Sequence, residues 1–111
     1  MEISSSVEQG IKVVSVTGFL QTDSVGEFRE KFAEETAADD RILLDCIGLE
    51  YLDSSGLAAL VSIFKNLATR QAKLVIFGLP ESILRVVRFT KLDQVFTLAD
   101  NREDAIQKVS A

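Results

Sequence analysis

Apolar positions along the chain keep two different periods, and the changes between them mark the elements. Residues 1–9 are polar with Ile3 and Val7 set among them, and Gln9-Gly10 marks a turn. Ile11-Lys12-Val13-Val14-Ser15-Val16-Thr17 is β-branched and partly alternating, a strand that closes at Gly18 and forms an antiparallel hairpin with the first segment. Phe19-Leu20-Gln21 leads into Thr22-Asp23-Ser24, three residues suited to capping a helix. Val25, Phe28 and Phe32 then recur at i, i+3 and i+7 among charged residues, which predicts an amphipathic helix. An acidic, solvated connection over 34–40 follows, then the apolar run from Arg41 to Cys46, a strand buried on both faces. Residues 47–52 carry the chain over the sheet edge. From Ser55 the apolar positions Leu57, Leu60, Val61, Phe64, Leu67 and Ala68 form one helical stripe. Lys73–Gly78 is a third apolar strand. Pro80 suits the first position of a short helix with Ile83, Leu84 and Val87 inward. Val95–Leu98 makes a last strand, and 104–109 a terminal helix begun by Asp100 or Asn101. The order ββαβαβαβα predicts an α/β fold: a mixed sheet with right-handed crossovers and helices mainly on one face.

No repeat, linker or low-complexity tract divides the chain, so residues 1–111 are expected to form one domain. Twelve Lys+Arg stand against 17 Asp+Glu, a net charge of −5, and the densest basic stretch, Arg85, Arg88 and Lys91, is broken by apolar residues. Nucleic-acid binding and attraction to anionic membranes are therefore not expected. The absence of histidine carries more weight. It removes the Ser-His-Asp and Cys-His machinery, imidazole metal sites and phosphohistidine relays, so no enzyme activity, metal or cofactor is expected. The single Cys46 lies in an apolar strand, a buried hydrophobe that suits a reducing compartment. Met1–Ser6 lacks a basic region followed by an apolar run, and no run approaches the about 20 apolar residues that span a bilayer. A cytoplasmic protein without direct membrane insertion is expected.

The chemistry gathers where strand period gives way to helix period, at Asp53-Ser54-Ser55-Gly56. Two hydroxyls fall at a helix start, where the first backbone N–H groups lack intrahelical partners. Serine is a favoured cap there, and the same geometry favours a phosphate. One of these serines is expected to be a phosphorylatable hydroxyl on a domain that binds another protein, with plain capping as the competing role for Ser54. Ser55 is expected to cap. Asp53 either orients the hydroxyl and meets a partner or simply favours the helix N-terminus. Gly56 leaves room for a partner or a neighbouring loop.

The Leu43-Leu44-Asp45 strand, Leu52-Asp53-Ser54-Ser55-Gly56-Leu57, the ending Leu92-Asp93-Gln94-Val95-Phe96 with Glu103-Asp104-Ala105-Ile106, and the element order together resemble the anti-sigma-factor antagonist (STAS) family. The resemblance covers essentially the whole chain. It implies a STAS-type single domain and a partner switch. Ser54 would be phosphorylated by an anti-sigma factor that is also a serine kinase; the unmodified form would hold that factor and the phosphorylated form release it. A serine phosphatase would reset the switch. Gln21, Asp23, Asp53, Ser54, Ser55 and Gly56 would meet the partner. One departure stands out: where members of the family commonly have Gly-x-Leu/Ile-Asp, this chain has Gly18-Phe19-Leu20-Gln21, and Asp23 is the acid nearest in sequence to replace the missing one. Phe19 is either a partner contact or a core plug.

Two other classes compete. A constitutive STAS binding module, a scaffold or a transporter accessory subunit, needs the same fold without phosphate turnover, and Gln21 favours it. A two-component receiver would use Ile42-Leu43-Leu44-Asp45 as its acceptor strand. It also needs an acidic pair after the first strand and a lysine near the late strand, and neither Gly18–Gln21 nor Val95–Leu98 provides them.

Overall fold

Gln9 and Gly10 both have positive φ, 55° and 76°, the mirror-image turn whose twist matches that of two paired strands. They join β1 (Glu2–Glu8) to β2 (Ile11–Leu20) in an antiparallel hairpin with Glu8 opposite Ile11. The computed structural model describes all 111 residues. α1 (Val25–Thr36), β3 (Arg41–Asp45), β4 (Leu49–Leu52), α2 (Ser54–Thr69), β5 (Lys73–Phe77), α3 (Glu81–Phe89), β6 (Leu98–Ala99) and α4 (Arg102–Ser110) follow in order. The sheet runs β1-β2-β3-β5-β6, with only the β1–β2 pair antiparallel.

The apolar runs do what their lack of alternation requires. Ile42, Leu43 and Leu44 are all fully buried because helices cover both faces of β3. Val14, Val16, Ile42, Leu44, Leu74 and Ile76 face a core completed by Phe28 and Phe32 of α1, Leu60 and Ile63 of α2, and Ile83 and Val87 of α3. The intervening Val13, Leu43, Val75 and Phe77 face a smaller core closed by Ala105 and Val109 of α4 alone. Three helices thus lie on one face and one on the other. No helix is long and apolar enough to cross a membrane.

Four sequence expectations need correction. Residues 49–52, expected to be a plain connection, form β4, which pairs parallel with the end of β2. β2 does not stop at Gly18. That glycine takes φ 86°, donates to the Gly48 carbonyl at 2.9 Å, and the pairing shifts register between Gly18 and Phe19. The strand therefore bends and continues to Leu20 beside a new partner. The last strand is Leu98–Ala99 rather than Val95–Leu98, because Phe96 turns into the larger core and stacks on Phe64 at 5.5 Å after a short 3-10 turn at Leu92–Gln94. Pro80 precedes the first helical residue of α3 instead of occupying it. At α4 the expected cap is found: Asn101 Oδ1 accepts from the Asp104 N–H at 2.8 Å.

Candidate functional site

β2 and β4 end side by side, Leu20 opposite Leu52, and deliver two loops to one place. One is Gln21–Ser24, which leads into α1; the other is Asp53, which begins α2. The backbone at Asp53 is extended (φ −96°, ψ −174°) and its carboxylate caps the helix, Oδ1 accepting from the Gly56 N–H at 2.8 Å. Oδ2 accepts from both the N–H and the hydroxyl of Thr22, each at 3.1 Å. The Thr22 hydroxyl also lies 3.1 Å from that of Ser55. The Gly56 N–H is the main cause holding the Asp53 carboxyl below the ordinary carboxylate range. Desolvation opposes it as the second-largest cause, and Thr22 and the Ser55 N–H add individually smaller lowering contributions.

The cap is therefore the aspartate, and the expectation that Ser55 caps is corrected. Helical geometry starts at Ser54, which puts both serines inside the first turn, past the position from which a side chain reaches the free N–H groups. Ser55 is half-buried and tied to Thr22. Ser54 is exposed, and its hydroxyl makes no hydrogen bond within the chain. No hydrogen bond joins Asp53 to it; the carboxylate oxygens accept from Thr22 and Gly56. Gly56 is buried, and a Cβ there would come within 2.3 Å of the Leu20 carbonyl oxygen. The room it leaves is filled by the neighbouring strand end.

Gln21 is half-buried and acts through its backbone: its N–H donates to Ser24 Oγ, and its carbonyl accepts from the N–H groups of Ser24 and Val25. Of the three cap candidates Thr22, Asp23 and Ser24, Ser24 stands at the N-cap position of α1 but makes no side-chain cap bond, and instead fastens this loop by donating to the Phe19 carbonyl at 2.9 Å. Asp23 is exposed, and with Gln21, Thr22 and Asp53 it lines a shallow depression. Thr22 is the residue the sequence did not single out, because its bonds reach 31 and 33 residues ahead and leave no periodic trace. Phe19 is 48% exposed and stacks on Tyr51, 47% exposed, at 5.6 Å, so it is not a core plug. No group of three or more Cys, Asp or Glu side chains is placed to hold a metal ion. Cys46 is fully buried, and burial raises its thiol well above the ordinary range.

Residues 2–105 match the family model of the STAS domain. Over 55 residues the chain is 36% identical to the anti-sigma-B factor antagonist of Listeria monocytogenes; the alignment spans 50% of this chain and about half (48%) of that relative. Over 96 residues it is 29% identical to the anti-sigma-B factor antagonist of Bacillus subtilis, covering 85% of this chain and 86% of that one. An anti-sigma factor antagonist from Mycobacterium paratuberculosis superposes with a TM-score of 0.89 at 22% identity, over 99% of this chain and 94% of that one. The anti-sigma factor antagonist SpoIIAA in its unphosphorylated form gives 0.73 at 20% identity over 99% of both chains. The murine anion transporter Slc26a9 gives 0.80 at 17% identity, over 91% of this chain and 18% of the transporter. At these identities the superpositions establish the fold, and with the family match over nearly the full length they support one conclusion: the chain belongs to the STAS domain family.

Proposed function

We propose that this chain is an anti-sigma-factor antagonist whose hold on an anti-sigma factor is switched by phosphorylation of Ser54. The observation that carries this is the exposed Ser54 hydroxyl, free of any bond within the chain, at the rigidly capped start of α2. The names of the Listeria and Bacillus relatives support the same role. In the switching step the Ser54 oxygen attacks the terminal phosphorus of a nucleoside triphosphate held by the partner kinase. The bond from that phosphorus to the bridging oxygen breaks, the nucleoside diphosphate leaves, and the serine proton passes to a base. That base belongs to the kinase, since the chain has no histidine and Asp53, whose carboxyl is held below the ordinary carboxylate range, is a weak base. The chain acts as substrate and ligand rather than as enzyme.

The new phosphate carries about −1.5 to −2 charges. A bare helix N-terminus would welcome it. Here Asp53 already holds the Gly56 N–H, and its carboxylate adjoins Ser54, so the phosphate is driven outward by like charge. Outward is where the partner sits, and the bulk and desolvation cost of a dianion in that contact favour release. A serine phosphatase restores the binding form. Gln21, Asp23 and Ser54 form the partner-facing rim, while Asp53, Ser55 and Gly56 shape it from behind.

A second reading, the constitutive STAS module, is favoured by Gln21 in place of the acid. The two separate in a titration of purified anti-sigma factor against the wild-type chain and Ser54→Glu. Switching requires that the kinase phosphorylate the wild type and that Ser54→Glu bind at least about tenfold more weakly. A stable complex with no phosphoryl transfer to the chain supports the constitutive module instead.

A further inference from the structure

Phe19 and Tyr51 form an apolar ledge that the fold itself does not use. They are cross-strand partners at the ends of β2 and β4, with ring centroids 5.6 Å apart, and both rings are nearly half in solvent. Aromatic side chains carry a disproportionate share of protein–protein binding energy, because they bury a large area with little conformational freedom to lose. The ledge is continuous with the Ser54 site along both strands: Phe19 stands two residues before Gln21, and Tyr51 two before Asp53.

The charged side chains of the segments at this end of the molecule have one sign, and the Met1 α-amino group lies against Gly18 beside them. The two segments that build this end of the molecule, residues 13–28 and 42–64, contain Asp23, Glu27, Asp45, Glu50 and Asp53 and no Lys or Arg. Glu27 is neutralised by Lys31 at 3.2 Å and Asp45 by Arg102 at 3.4 Å. Asp23, Glu50 and Asp53 form no ion pair, so net acidic charge remains on the segments that carry the aromatic pair. Such a surface is complementary to a basic one, and a lysine or arginine entering it also meets two aromatic faces.

We infer that the Phe19–Tyr51 pair is the apolar anchor by which the Ser54 site docks, and that it seats on a basic surface of the anti-sigma-factor kinase. This rests on Ser54 being the hydroxyl that faces that kinase. The basic surface lies beside the serine, under the ledge and Glu50. Ser54 itself faces the nucleotide phosphates, so the added phosphate meets like charge there even though the rim is attracted.

Calorimetry with the purified serine-kinase anti-sigma factor of the same organism tests this on five full-length chains: wild type, Phe19→Ser, Tyr51→Gln, Glu50→Lys and Ser54→Glu. Tyr51→Phe, which keeps the ledge, and Phe89→Ser on α3, an exposed phenylalanine outside it (89% exposed), serve as controls. Circular dichroism first confirms that each variant melts near the wild type. The expected result is that Phe19→Ser and Tyr51→Gln each weaken binding by about tenfold or more, with both controls unchanged. Glu50→Lys should slow association, and wild-type affinity should fall as salt rises from about 0.05 to about 0.5 M. If Ser54→Glu weakens binding while Phe19→Ser and Tyr51→Gln stay within about twofold of wild type, the anchor is wrong and the Ser54 switch stands. Ledge variants that lose affinity with no dependence on salt or on Glu50 overturn the basic surface. A wild-type chain that does not bind the kinase overturns both, and ledge variants that dissolve a dimer of this chain instead assign the ledge to self-association.

Discussion

Thr22 gives both its backbone N–H and its hydroxyl to Oδ2 of Asp53, each at 3.1 Å, so the loop after β2 is clamped to the cap of α2. One carboxylate holds both loops of the site and leaves the adjacent serine free. Removing the hydroxyl at nearly constant shape isolates the clamp. Thr22→Val should cost about 0.5–1.5 kcal/mol, the usual net worth of a side-chain hydrogen bond, read from urea denaturation at neutral pH.

The acid–base behaviour of Asp53 provides a second check. Its folded-state value is lowered, so ionised Asp53 stabilises the fold at pH above the unfolded carboxylate value, and that stability is lost as pH falls through the lowered one. Asp53→Asn keeps an acceptor but no charge. The wild type should be the more stable of the two at about pH 7, and the gap should narrow as pH falls below the ordinary carboxylate range. A gap that stays constant with pH would mean that the charge contributes nothing.

Gly56→Ala should destabilise even though alanine is the better helix former by about 1 kcal/mol. The added methyl would sit 2.3 Å from the Leu20 carbonyl oxygen, a backbone atom that cannot swing away. A net loss of about 1–3 kcal/mol is expected from overpacking. A neutral or stabilising effect in denaturant melts would contradict the close approach of α2 to β2.

Ser54→Ala should leave stability within about 0.5 kcal/mol, as for an exposed side chain without partners. A capping serine would cost about 1 kcal/mol. Ser54→Glu should likewise melt with the wild type while losing affinity for the anti-sigma factor. A large drop in melting temperature for either variant would give the Ser54 hydroxyl a structural role that its geometry lacks.

The strands and helices that bury the most surface were legible because their period is intrinsic. Ile42–Leu44 had to lie between two layers, and the stripe from Leu57 to Leu67 could only be a helix face. The site was legible in place but not in division of labour. Asp53, Ser54 and Ser55 are all good caps, and local propensity does not choose among them. The choice is made by where α2 meets β2, at the Gly56–Leu20 contact, which is tertiary. β4 was hidden because four residues with two exposed carry no clear alternation. Phe96 sat in a strand-like run whose outcome was set by stacking on Phe64. Phe19 could not be assigned to core or surface until β4 supplied Tyr51 beside it.

Intact mass with phosphosite mapping of the chain isolated from its own cells decides whether Ser54 is the switched residue. A species heavier by one phosphoryl group, about 80 Da, is expected, with the phosphate on Ser54 and a population that changes with growth conditions. A chain that stays unmodified in every condition while remaining bound to its partner would contradict the switch, and phosphate on Ser55 alone would contradict the assignment of the acceptor.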